Sequence, residues 1–297
     1  MGTPFISHLE PTRLDGYDRN LTHDAQAAHI PQVFLDAMSV REAVFVAEQG
    51  VPLPNEQDAD DARSCHWVMY ASVNRVVEAE ERDRPTGDVV RPRRSETRSM
   101  PIGTLRIVPF PHPPHPAEGG RYEGNVLQED KEGEGQAVVD GKGKAAGERR
   151  PSTLTLVEEE RQNSTLPFGV DRATTYHDGR EPYVKLGRLA VIKEFRGHKI
   201  ALQLWRAAKK WLEDNPTFFN PSVTELGMDQ LKVNSTADIP KFNGLVCCHA
   251  QEQIVKVYER WGFKVDEGMG RWFEEGIPHV GMFQRLEVKQ SNPQVGL

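Results

Sequence analysis

From residue 31 onward the chain reads as apolar runs of strand length separated by stripes of helical spacing. In QVFLDAMSVREAVFVAEQ, Phe34, Met38, Arg41 and Phe45 recur at helical intervals with Leu35 and Val44 beside them, which predicts a helix. Gly50 and Pro52 end it. HWVMYASV and IGTLRIVPF are strand-length runs, and so are YVKLGRLAVI and GLVCCHA. Little polar alternation in the last two is the pattern expected when both faces of a sheet are covered. After Lys199, Ile200, Leu204, Ala208 and Trp211 fall on one helical face, flanked by Ala201, Trp205 and Leu212, while Gln203, Arg206, Lys209, Lys210 and Glu213 take the other. Pro216 stops that helix. Ile254, Val257, Tyr258 and Trp261 mark a further helix, with Gly262 where a left-handed C-terminal residue belongs. FKVDEG and HVGMFQRLEV supply two last strands. Strands alternating with helices predict an α/β fold with a mixed sheet and helices on its faces.

The polar stretches divide the chain. Residues 1–29 form an N-terminal extension with one short strand at Phe5–Leu9, and PLPNEQDADDARS is an acidic loop. Glu78–Met100 is almost wholly polar and reads as a solvated loop. PFPHPPHP favours polyproline geometry, and Ala117–Arg150 carries eight glycines with hardly any large apolar residue. Pro111 to about Glu181 is therefore expected to be one long, mostly disordered insertion. The expectation is a single domain at 30–290, with polar insertions at about 78–100 and 111–181, and a tail at 291–297.

Composition agrees with a core diluted by insertions: of 297 residues, 37% are apolar and 27% charged. A net charge of -7 argues against a general nucleic-acid binder, which needs a basic face. No run is long enough to cross a bilayer, and MGTPFISHLEPTRLDGYDRN lacks the order of a signal peptide, so no membrane partner is expected. Cys65, Cys247 and Cys248 are odd in number, and neighbours in a strand point to opposite faces, so no disulfide framework is expected. A cytoplasmic compartment, or a nuclear one, is the expectation. His112 and His115 in PHPPHP are too few for a closed metal site, and no metal is expected.

FRGHKIA joins a buried strand to a helix. A helix start leaves main-chain N–H groups unpaired and carries partial positive charge, so such a turn suits phosphate. Gly197 allows close approach, and Arg196, His198 and Lys199 add charge, although a basic solvated turn has the same composition. Neither G-x-x-x-x-G-K-[ST] nor G-x-G-x-x-G is present.

LGRLAVIKEFRGHKIALQLWRAA resembles the signature of the GNAT superfamily of acetyl-CoA-dependent N-acetyltransferases, with the motif falling on Arg196, Gly197, His198, Lys199, Ile200 and Ala201. Lys199 stands where that family usually has glycine. REAVFVAEQGVP, with Glu56, Asp58, Asp61 and His66 after it, is similar to the first-helix region of the ElaA-like branch. HAQEQIVKVYERWGFK and EEGIPHVGMFQRL resemble that branch's later helix and C-terminal strand. Together these stretches span about half the chain, in the family's order. The resemblance implies an acyl-CoA N-acyltransferase fold with a central twisted, mostly antiparallel sheet flanked by helices. It implies that the turn holds the pyrophosphate of acetyl-CoA, the co-substrate, and that Leu189, Ala190 and Val191 pair with its pantetheine arm. Gln251 would anchor that arm, and Tyr258 would donate a proton to the departing thiolate. Without the resemblance, Tyr258 reads as a core tyrosine on an apolar stripe.

No general base stands out. Glu48, Asp61, His66 and His279 are candidates, with Phe45 and Gln49 on the same acceptor side, and a water chain is an alternative. His66 opens an apolar strand and reads equally as a structural histidine. The leading expectation is an acetyl-CoA:amine N-acetyltransferase acting on a small molecule or a protein amine. The competing class is a non-catalytic acyl-CoA-binding sensor or scaffold, with a nucleotide-dependent enzyme third. Acceptor and oligomeric state are not legible.

Overall fold

A computed structural model describes residues 4–128, 171–220 and 241–288. The tail at 291–297 and the middle of the long insertion lie outside the described residues. The described residues form twelve strands and several helices, among them the strands that the apolar runs predict. The strands that matter for the site are β1 (Phe5–Leu9), β2 (Cys65–Glu78), β5 (Arg94–Val108), β8 (Val184–Val191), β9 (Leu245–Gln251), β11 (Arg271–Glu274) and β12 (Ile277–Arg285). They stand in the order β1-β2-β5-β8-β9-β12-β11 in one sheet, which continues past β11 through β6 (Arg121–Glu123) and β7 (Val126–Leu127). Neighbours are antiparallel except β8 with β9 and β11 with β6. The fold is thus mixed α/β, with a mostly antiparallel sheet flanked by helices.

Helix α1 (Gln32–Arg41) lies on one face and α3 (Ile200–Asp214) on the other. The strand β2 shows how the sequence serves both. Cys65, Trp67 and Met69 join the core around Leu204, Trp205 and Leu212 of α3, while Val68 and Tyr70 pack with Ala37 of α1. Alternate side chains point to opposite faces, so a strand covered twice must be apolar at successive positions. Cys247 and Cys248 likewise fall in different clusters on the two faces, and all three cysteines are free. Gly262 has φ of 97°, as expected for a left-handed helix end, and a Cβ there would meet the amide of Gln284 at 2.9 Å.

The polar segments depart from expectation in three places. The residues around Glu78–Met100 are a hairpin: β2 and β5 stay paired out to Glu78↔Arg94, with β3 (Glu81–Arg82) and β4 (Val89–Arg91) at its tip. An arm exposed on both faces needs no apolar alternation, so its pattern does not announce strands. The insertion is ordered at both ends, with β6 and β7 joining the sheet through β11 and residues 171–181 packing against the loop at Asp266. Finally, the first helix does not run as one α-helix, because Glu42–Glu48 is wound as a π-helix. No described helix is long and apolar enough to cross a membrane.

Candidate active site

Pairing between the parallel strands β8 and β9 ends at Leu186↔Cys248. Past that point β8 stays with β5 as far as Val191, and β9 with β12 as far as Gln251. The two strands therefore part, and a cleft of about 640 Å³ opens between them, within the range of small-molecule sites. Leu189, Ala190 and Val191 line one side, and Gln251 and Tyr258 line the other. Phe45 and Glu48 of the π-helical stretch, and Gln49 at its end, close it from above the sheet; the wider winding brings Val44 and Phe45 onto the same side as Glu48 and Gln49.

A bulge turns β8 at the mouth of this cleft. Thr104 faces Ala190 and Arg106 faces Gly187, so Arg188 and Leu189 both stand against Leu105. Arg188 has φ of 47°. Its guanidinium reaches the Glu56 carbonyl at 3.3 Å and Asp58 Oδ2 at 3.1 Å. The acidic loop thereby holds the bulge, and the bulge presents the next residues to the cleft.

Asp58 and Asp61, read from sequence as part of an acidic loop with Asp61 a candidate base, are instead part of a buried charge lattice. Arg41 donates to Glu56 at 2.6 Å and to Asp61 at 2.7 Å, and Arg106 donates to Asp58 at 2.6 Å and Asp61 at 2.7 Å. Burial alone would raise both aspartates, but Arg106 holds the Asp58 carboxyl down to about 2 and Arg41 holds Asp61 well below the usual range. His66 donates from Nε2 to the Asp61 carbonyl at 2.9 Å, and burial pushes it down to about 4. Neither Asp61 nor His66 lines the cleft, and both are fully engaged in the structure around it.

At the turn after β8, Arg196 folds back, donating to the Val191 carbonyl at 2.9 Å and pairing with Glu48 at 2.9 Å. His198 donates from Nδ1 to the Arg196 carbonyl at 3.0 Å, bracing the turn on itself. A Cβ on Gly197, φ 82°, would meet nothing within 4 Å. Gly197, His198 and Lys199 are exposed, whereas the side chain of Ile200 is in the core, and Arg196 alone of residues 196–201 lines the cleft. Lys199 has φ of 60°, the left-handed region that glycine enters freely and other residues enter at a cost. That backbone accounts for the glycine usual at this place in the resembling family. Lys199→Gly is expected to stabilise the fold by about 0.5–1 kcal/mol in urea unfolding. A loss of stability would show instead that the lysine side chain makes a compensating contact.

Gln251 donates to Gln49 at 3.0 Å and accepts from Gln253 at 3.0 Å, so the predicted arm anchor is tied across the cleft to the predicted acceptor side. Tyr258 is buried yet faces the cleft; burial, with the Cys248 thiol secondary, raises its hydroxyl well above the ordinary range. It stays protonated at any physiological pH.

The far end of the cleft carries residues that sequence reading missed. His249 donates from Nδ1 to Glu274 at 2.7 Å, and Trp272 donates to the same oxygen at 2.8 Å. Burial and then Lys185 push His249 down to about 4, and His249 in turn holds the Glu274 carboxyl well below its usual range against the effect of burial. At neutral pH this is a carboxylate beside a neutral imidazole. His279, a predicted candidate, joins them: it donates from Nδ1 to the Ile277 carbonyl at 2.8 Å, which leaves Nε2 as the lone-pair nitrogen, 4.0 Å from Glu274. His249 and Glu274 both lay within stretches quoted for their resemblance. Only the strand register, with His249 opposite Gly281 and Trp272 opposite His279, makes them neighbours.

No family model and no curated protein matches this chain. Solved structures do. An acyl-CoA N-acyltransferase from Pseudomonas aeruginosa is 15% identical, with 95% of this chain and 99% of that one covered and a TM-score of 0.41. ElaA of Escherichia coli is 15% identical over 95% of this chain and 100% of its own, with a TM-score of 0.39. A CoA-dependent acyl-homoserine lactone synthase is 11% identical over 96% and 84%, with a TM-score of 0.41. These are likenesses of fold.

Proposed function

We propose that the chain is an acyl-CoA-dependent N-acyltransferase that moves an acetyl group from acetyl-CoA to a primary amine. The observation that carries this reading is the parting of β8 and β9 beside a bulge and ahead of an open basic turn. A narrow arm with amide groups fits between two strands that keep their outer partners and lose each other, because the freed main-chain edges are what such an arm pairs with. The open space at Gly197 suits a phosphate at the end of that arm. These are the residues that would hold the donor; acetyl-CoA supplies the activated thioester.

The protein groups divide the remaining work. His279 Nε2 takes a proton from the incoming ammonium, and the Glu274 carboxylate stabilises the imidazolium that results. The main chain of the bulge at Leu189 to Val191 donates to the carbonyl oxygen as negative charge develops there. As the bond from nitrogen to the carbonyl carbon forms and the bond from that carbon to sulfur breaks, Tyr258 gives its proton to the thiolate. It regains one from the attacking nitrogen, which must lose a second proton to become an amide. Glu274 and Glu275 leave the acceptor end acidic, which favours a cationic amine.

The reading is tested by calorimetric titration of acetyl-CoA into the protein and into Arg196→Ala. Micromolar binding that weakens about tenfold in the variant is expected, the loss of one charge-assisted phosphate contact. Absence of binding by the intact chain would end the proposal. Binding without turnover of any amine would leave an acyl-CoA-binding scaffold.

A further inference from the structure

A second constellation lies where the two ends of the long insertion meet, in residues for which composition predicted disorder. His115 comes from the proline-rich segment after β5, and Asp171 and His177 come from the segment before β8. His115 Nε2 is 2.9 Å from His177 Nδ1 and 3.6 Å from Asp171 Oδ2, and all three atoms lie within 4.8 Å of one another. A tetrahedral zinc with bonds of about 2.0–2.1 Å has ligand-to-ligand edges of about 3.3 Å, midway between the two measured separations. Small shifts of the two rings would seat the ion.

The surroundings orient the same three atoms. His177 Nε2 donates to the Glu181 carbonyl at 2.9 Å, which leaves Nδ1 as the lone-pair nitrogen facing His115. A ligating histidine is usually held in this way through its other nitrogen. Asp171 Oδ2 accepts from the His115 main-chain N–H at 2.7 Å, and Oδ1 accepts from Arg172 N at 2.7 Å. Rings clamp both imidazoles: His115 lies nearly parallel to Tyr183 with centroids 5.7 Å apart, and His177 nearly parallel to Phe283 at 6.0 Å. The His115 side chain is wholly buried and that of Asp171 is 14% exposed, so solvent reaches the cluster on the carboxylate side. Without an ion, His115 donates its only ring proton from Nε2 to His177 Nδ1. His112, weighed with His115 from sequence, is not in the group; it bonds the Tyr183 carbonyl at 2.9 Å.

We infer that His115, Asp171 and His177 form a binding site for a divalent transition-metal ion of zinc type, with one water completing four-coordination. Imidazole and carboxylate donors suit zinc, and one open side favours four ligands over six. The ion would clip the chain before residues 129–170 to the chain after them, and so brace the wall of the cleft that Pro113 to Pro116 supply. No acyl-CoA is needed for this, so the site stands or falls apart from the proposed activity.

The test uses the full chain, stripped with chelator and dialysed, then titrated with zinc alone and with cobalt(II) as a spectroscopic probe. One equivalent of zinc is expected to bind, raising Tm by roughly 5–10 °C at a hundredfold excess over Kd. Cobalt should give the intense visible bands of a four-coordinate site. The double variant His115→Ala, His177→Ala should lose both. Asp171→Asn keeps the acceptor for the His115 N–H, so it is expected to fold if the double variant does not, and to bind at least about tenfold more weakly. No stoichiometric zinc binding by the intact protein overturns the inference. So does binding that is unchanged in Asp171→Asn together with octahedral cobalt spectra.

Discussion

Arg41→Met should lower the stability of the chain by about 3–5 kcal/mol, the usual cost of removing one partner from a buried ion pair. Arg41 is wholly buried, and its guanidinium binds two carboxylates and a main-chain carbonyl, with the Glu56 carbonyl 2.5 Å from Nη2. Met fills much of the same volume, so the loss measures electrostatics more than a cavity. Asp61 keeps Arg106 but loses one of two cations at 2.7 Å, and Glu56 loses Arg41 at 2.6 Å and keeps Arg188 at 3.2 Å. Urea unfolding should show a lower midpoint at unchanged slope. A loss under about 1 kcal/mol would mean that the remaining arginines satisfy the lattice alone.

The same variant has a pH signature. Asp58 titrates near 2 in the folded chain, and Asp61 is held well below its ordinary range, against an unfolded value of about 3.9. A carboxyl depressed on folding stabilises the native state above its unfolded pKa and loses that contribution as pH falls toward its folded pKa. The wild type should therefore shed this stability between about pH 4 and pH 2. In Arg41→Met the Asp61 carboxyl rises toward its ordinary value, so the loss on acidification is smaller and is complete at a higher pH. His66 and His249 act with the same sign over a higher window: both are held near 4 against about 6.5 unfolded, and both begin to erode stability as pH drops below about 6.5.

Tyr258→Phe should lower kcat by about 10²–10⁴-fold, the usual contribution of a positioned proton donor. Binding of acetyl-CoA should be nearly unchanged, because the ring keeps its edge-to-face packing on Trp261 and Phe263, with centroids 5.2 and 5.6 Å away. The hydroxyl has no hydrogen-bond partner among the described residues, so its removal leaves no buried group stranded. Steady-state kinetics with an amine acceptor, alongside calorimetry of the same variant, separates the two effects. A kcat within threefold of the wild type would place the proton donor elsewhere.

Reading the chain in order captured what is local. Helical spacing located α1 and α3, and unbroken apolar runs located β2, β5, β8 and β9, because a periodic face repeats within one element. The basic turn at Arg196 and the helix carrying Tyr258 were legible for the same reason: each is a contiguous stretch whose chemistry does not depend on what folds beside it. The left-handed geometry at Lys199 was visible only as an odd residue in a glycine position.

What the tertiary structure decided was every feature made by cross-strand register or by long-range burial. Composition marked Asp58 and Asp61 only as part of an acidic loop, yet Arg41, Arg106 and Arg188 arrive from three other elements to pair with them in the interior. His249, Glu274 and His279 belong to three strands, and one residue of slip in any ladder would turn a side chain to the opposite face. The His115, Asp171 and His177 group needed both ends of a long insertion to return to one place. Pairing energy comes from the partner strand or segment, and the identity of that partner is written nowhere in the local pattern.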